Sequence, residues 1–182
     1  MRALSVPLLE IETARLRLRP LQEHDDAFIL ELLNEPAFIA NIGDKDVHDL
    51  AGARNYIEKG PQASYRQHGH GLLLVELQDD SSPVGICGLV KRDSLPHPDI
   101  GYAFLQRHWG QGYACEAGAA CLEHASARLS IDYVVGITSP HNLGSIRVLE
   151  KLGLQYDRTL ELPGINGPSL YYIPAKTSAE KE

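Results

Sequence analysis

The chain has 182 residues, 43% of them hydrophobic and 23% charged, which is the balance of one water-soluble domain with a single core. No apolar run approaches the roughly 18 residues that a membrane helix needs, and Glu10 and Glu12 interrupt the only apolar patch near the N-terminus, so neither a membrane span nor a secretory signal is expected. The formal net charge of -7 argues against a broad nucleic-acid-binding face, and three cysteines (Cys87, Cys115, Cys121) without zinc spacing point to reduced thiols in a cytoplasmic protein.

In chain order, the first clear strand is ARLRLRP, where Leu16 and Leu18 alternate with Arg15, Arg17 and Arg19 and Pro20 ends the run. HDDAFILELLNEP predicts a helix, capped by Asp25 or Asp26, with Phe28, Ile29, Leu32 and Leu33 on one stripe and Pro36 after its end. DVHDLAGARNYIEKGP predicts a second helix, stopped by Gly60-Pro61. The period then changes. Residues 71–78 and 83–92 read as a hairpin, and 99–105 as a third strand. A helix is predicted from about 111 to 128, a buried strand over 132–138, and a short helix over 142–153 with Asn142 as N-cap and Gly153 as its stop. LQYDRTLEL and SLYYIPA predict a last hairpin. Residues 7–175 thus form one domain, and 176–182 a polar tail expected to be disordered.

The stretch QRHWGQGYACEA, 106–117, carries the chemistry. It places Gly110 and Gly112 between a strand and a helix. A helix start leaves about four N–H groups free and adds a partial positive charge, and glycines let a ligand approach the backbone closely, so the turn suits phosphate oxygens. Arg107 offers a cation beside it. Neither the P-loop nor the dinucleotide fingerprint fits, since the third fingerprint position is Cys115.

What remains is R-x-x-G-x-G, and with its neighbours it resembles the GNAT superfamily of acyl-CoA-dependent N-acyltransferases. ETARLRLRPL, DIGYAFLQRHWGQGYACEA and HNLGSIRVLEKLGL are similar, in order, to three blocks of the RimJ/RimL-like branch. The resemblance implies an α+β fold with a mixed, mostly antiparallel central sheet of about seven strands and about four flanking helices. It implies acetyl-CoA as cosubstrate, an amine acceptor such as a protein N-terminus or a small molecule, transfer by direct attack in a ternary complex, no metal, and a homodimer. By the same resemblance, the backbone of Gly110, Gln111, Gly112, Tyr113 and Ala114 holds the pyrophosphate, with the Arg107 side chain as the cation beside it. Phe104 or Leu105 polarises the thioester carbonyl, and Asn142 hydrogen-bonds the cofactor while also serving as a helix cap.

Two catalytic candidates follow. Ser145 stands one turn into the Asn142 helix, where it either protonates the leaving thiolate or is a plain helix-start serine. Asp99 takes the acidic place before I-G-Y, as a water-linked general base or a strand-start residue in solvent, with Glu76 and His141 as weaker candidates. Leu149 occupies the position where many GNAT enzymes carry a proton-donating tyrosine. That keeps an alternative open: a catalytically weak acyl-CoA-binding module on the same fold. His68 and His70 lack a third evident ligand for a metal.

Overall fold

The computed structural model describes residues 9–176, so nearly all of the expected C-terminal tail lies outside the described residues. β1 (Ile11–Glu12) and β2 (Leu16–Pro20) open the chain, and β2 buries Leu16 and Leu18 completely while its arginines stay half-exposed. Each fully buried leucine contributes roughly 1.5–3 kcal/mol, so the alternation fixes which face of β2 meets the core.

Four helices follow. α1 (Asp26–Asn34) buries Phe28, Ile29, Leu32 and Leu33 as the stripe predicts. Pro36 does more than end α1: it sits in the first turn of a short additional helix, α2 (Pro36–Asn41), where a missing N–H costs nothing. α3 (Leu50–Ile57) starts where Asp49 accepts the Gly52 N–H. Gly60-Pro61 does not stop it. A π-helical turn over Glu58–Gln62 absorbs the buried Pro61 and leads into α4 (Ala63–His68). The wider turn changes which carbonyl faces the proline ring, and the run ends only at Gly69, at φ 73°.

β3 (Leu72–Leu77), β4 (Pro83–Val90) and β5 (Asp99–Phe104) complete an antiparallel five-stranded sheet in the order β1-β2-β3-β4-β5. After α5 (Tyr113–Leu129) the chain starts a second sheet. β6 (Gly136–Thr138), β7 (Leu154–Glu161) and β8 (Pro168–Pro174) pair in the order β6-β8-β7, and α6 (Leu143–Lys151) links β6 to β7. Among the described residues, eight strands and six α-helices fit the expected mixed, mostly antiparallel α+β architecture of about seven strands, with the strands divided into two sheets and two short helices added.

Two cores sandwich the larger sheet. One packs Leu16, Leu18, Val75, Cys87 and Ile100 against α5 and Leu149 of α6. The other packs Leu74, Ile86 and Leu105 under α1 and α3. β3 is buried on both faces, which explains its nearly unbroken apolar run.

Candidate active site

Among the described residues one parallel β-bridge joins the two sheets, Asp99 to Val135. There the Ile100 N–H donates to the Val135 carbonyl at 2.9 Å and the Val135 N–H to the Pro98 carbonyl at 3.0 Å. Beyond it β5 pairs only with β4, and β6 only with β8. The strands therefore diverge and leave a gap.

Strand parity says which groups line that gap. The Leu105 N–H donates to the Val84 carbonyl at 3.0 Å, so 105, 103 and 101 bond toward β4. Ile100, Tyr102 and Phe104 then turn their N–H groups the other way, toward β6. Of the two candidate backbone donors, Leu105 is committed to Val84 and Phe104 faces the gap. The Phe104 carbonyl accepts the Trp109 indole N–H at 2.8 Å, which ties the strand end to the loop that follows.

That loop closes on α5. Gly110 and Gly112 hold φ of 77° and 82°, a region that L side chains enter at a cost of about 1–2 kcal/mol. Gly112 is the N-cap of α5 and no side chain caps it, so Tyr113, Ala114 and Cys115 begin the helix with their N–H groups unclaimed by intrahelical bonds. Arg107 is placed differently from the expectation of a cation over this loop. Its guanidinium reaches α1 and pairs with Glu31 at 2.5 Å.

Arg15 is the cation at the loop. Its Nη1 donates to the Gln111 carbonyl at 2.9 Å, its Nε donates to Glu116 at 2.7 Å, and its guanidinium lies 4.7 Å over the Tyr113 ring. Glu116 also accepts from the Thr13 hydroxyl at 2.7 Å and the Arg15 N–H at 2.9 Å. Desolvation raises the Glu116 pKa, but these hydrogen bonds outweigh it and hold the carboxyl below its ordinary range. Tyr113 donates to the Gln111 side chain at 3.1 Å.

Across the gap, Asn142 Oδ1 accepts the Ser145 N–H at 3.1 Å, so the cap reading of Asn142 holds. The Ser145 hydroxyl lies 2.8 Å from the Tyr102 hydroxyl, and Tyr102 also donates to the Ser145 carbonyl at 3.1 Å. Burial pushes the Tyr102 phenol well above its usual range, so it keeps its proton. Leu149 is fully buried and packs on Gly136, as a core side chain.

Asp99 is sealed rather than solvated, with 1% of its surface exposed and its carboxylate 3.0 Å from Arg92 Nε. Desolvation raises its pKa against the opposing pull of Arg92. Glu76 is engaged by Arg19 at 3.2 Å and Arg17 at 3.5 Å, and His141 is exposed. The His68 and His70 rings stack at 5.8 Å, and no group of three metal-ligating side chains occurs among the described residues.

A family model described as an acetyltransferase (GNAT) domain matches residues 15–155. The chain belongs to the GNAT family. It is an N-acetyltransferase. It is 31% identical over 154 residues to the uncharacterized protein YkkB of Bacillus subtilis, covering 83% of this chain and 88% of that one. The solved acetyltransferase of Agrobacterium tumefaciens superimposes with a TM-score of 0.79 at 26% identity, over 97% of this chain and 98% of that one. A solved RimL, a ribosomal-protein acetyltransferase in complex with coenzyme A, shares the fold with a TM-score of 0.77 at 18% identity, over 91% and 97% of the chains.

Arg15 and Tyr102 are the residues that the sequence reading passed over. Arg15 counted as one member of an alternating strand, and nothing in spacing links it to Glu116, 101 positions on. Tyr102 had a weak signal, its place in the quoted D-I-G-Y.

Proposed function

We propose that this GNAT enzyme transfers the acetyl group of acetyl-CoA directly to a primary amine, with both substrates bound at once. The observation that carries this reading is the divergence of β5 and β6 after one bridge, which leaves the Phe104 N–H facing a gap that ends at the Gly110–Gly112 turn.

In this reading the N–H groups of Gly112, Tyr113 and Ala114, with Gly110 and Gln111, take the pyrophosphate. Pantetheine lies between β5 and β6, and the Phe104 N–H polarises the thioester carbonyl. A donor of that kind contributes about 2.7–4 kcal/mol to the transition state. Arg107 serves by holding the loop against α1 through Glu31, while Arg15 holds it from the other side.

The amine attacks the thioester carbon, the carbon–sulfur bond breaks, and the thiolate takes a proton from the Ser145 hydroxyl, which Tyr102 orients and which regains a proton from solvent water in the gap. Asn142 keeps Ser145 in place by capping its helix, next to the cofactor. The proton lost by the amine passes to water in the open gap, while Asp99, sealed beside Arg92, holds the start of β5 rather than serving as the base. RimJ/RimL-like ancestry, a homodimer and a cytoplasmic location complete the reading, on the strength of the three sequence blocks and the free thiols.

Release of free thiol from acetyl-CoA, followed with and without a panel of amines, tests it. Amine-dependent release supports transfer. Acetyl-CoA binding with no amine-dependent release would return the chain to an acyl-CoA-binding module.

A further inference from the structure

Two adjoining grooves open where α3 and α4 face the end of β4. The first, of about 340 Å³, runs between residues 45–47 and α3; the second, of about 300 Å³, runs between the π-helical turn, α4 and Leu89–Lys91. They share Tyr56, Lys59 and Gly60. Each volume lies at the lower end of the roughly 300–1,000 Å³ typical of small-molecule sites.

The lining is cationic. Lys45 borders the first groove, Lys59 stands at the junction and Lys91 borders the second. The sequence has six lysines, so half of them line these two adjoining grooves. None of these three is in an ion pair among the described residues, where every pair uses arginine or histidine. Lys91 donates only to the carbonyls of Arg92 and Leu95, at 3.1 and 3.2 Å. One carboxylate borders the grooves, Asp46, but its side chain is 93% exposed and pairs with His48 at 2.8 Å. In a chain with 24 acidic and 17 basic residues, three clustered and unpaired lysines are a local reversal of charge. Lys45 is exposed, and desolvation, with nearby Arg92 as the smaller cause, holds it below the ordinary lysine range.

The second groove lies one strand away from the reaction gap, since its Leu89 and Val90 belong to β4, the neighbour of β5. Val90 pairs with Asp99, and Leu89 with Ile100, at the point where β5 last touches β6. From Asp99 to Tyr102 is three residues of strand, roughly 10 Å. We infer that the acceptor amine carries an anionic group, a carboxylate or a phosphate, which the lysine-lined grooves hold while the amine reaches into the gap. Lysine suits this task, because its ammonium is a point charge that accepts either anion without demanding a two-pronged geometry. This rests on the acetyl-transfer reading above.

The test has two arms. Thiol release from acetyl-CoA is measured with ω-amino acids of increasing length, with ω-aminoalkyl phosphates, and with the matching uncharged ω-amino amides. The anionic acceptors are expected to exceed their amides at least about tenfold in kcat/KM at low salt, with an optimum length, and Lys59→Gln should cut that preference about tenfold. Whether the carboxylates or the phosphates lead identifies the anion. In the second arm, CoA-saturated protein is titrated with acetate and with inorganic phosphate, and the backbone amide resonances of Lys59, Gly60 and Lys91 are followed. Shifts there that vanish in Lys59→Gln support the anion site. Amides accepted as well as the anionic amines, or no shift with either anion, would overturn it. If acetyl-CoA binds and no amine of any kind is acetylated, the transfer reading fails and the resonance titration alone decides the anion site.

Discussion

Ser145 and Tyr102 bring two hydroxyls within 2.8 Å of each other on facing sides of the gap, and burial keeps the phenol protonated. Ser145→Ala should lower kcat on the order of 10²-fold, the size of a positioned proton donor, while the KM for acetyl-CoA moves little. Tyr102→Phe should cost less, because the serine survives and loses only its orientation. Equal kcat in Ser145→Ala and the unaltered enzyme, by thiol release, would remove the serine from the mechanism. Glu116 makes a different prediction. Its folded pKa lies below the unfolded value, so its ion pair with Arg15 contributes stability above the ordinary glutamate pKa of about 4.3, and that contribution is lost as pH falls through the folded value. Glu116→Gln should therefore be less stable at neutral pH and show a shallower loss of stability on acidification, read from urea midpoints across that range.

At the scale of elements, the turn before α5 and the break between β5 and β6 make the site. Gly112→Val places a β-branched side chain at φ 82°, beside Arg15 Nη2 at 3.5 Å from the added Cβ, so the turn must rearrange. Acetyl-CoA affinity should fall about 5- to 30-fold, for a cost of about 1–2 kcal/mol, with the far-ultraviolet spectrum unchanged. Gly136 holds β6 against α6: an added Cβ would come within 2.6 Å of Leu149, a fully buried side chain. Gly136→Ala should cost roughly 1–3 kcal/mol of stability in chemical unfolding, as overpacked cores do.

Much of this scale was legible in the sequence. The stripe Phe28, Ile29, Leu32, Leu33 gives α1, the alternation of Leu16 and Leu18 gives β2, and the glycines mark the turn before α5, because each is a local signal of period or backbone conformation. The division into two sheets was not legible. It depends on which strand β8 chooses as its neighbour, and pairing between β6 and β8 brings together residues more than thirty positions apart. Nor could the sequence show that Arg107 turns to Glu31 and Arg15 to the loop, since both pairs join distant segments. In the sequence Asp99 reads equally as a water-linked base or a solvated strand start, and only the arrival of Val135 and Arg92 buries it.

Over the whole molecule, two cores hold the five-stranded sheet between α1–α3 on one face and α5–α6 on the other, and the gap opens at that sheet's edge where the second sheet begins. A ligand seated there bridges the two sheets, which otherwise share one β-bridge, and so should stabilise the fold as a unit. At a concentration a hundredfold above its dissociation constant, a ligand specific for the folded state adds about 2.7 kcal/mol, which raises the unfolding temperature of a domain this size by roughly 5–10 °C. Acetyl-CoA should produce that shift, and the shift should shrink in Gly112→Val. The most direct test of the central claim is calorimetric titration of the ligand-free protein with acetyl-CoA and, separately, with NAD. The account predicts micromolar, one-to-one binding of acetyl-CoA with no heat from NAD; binding of NAD without binding of acetyl-CoA would contradict it.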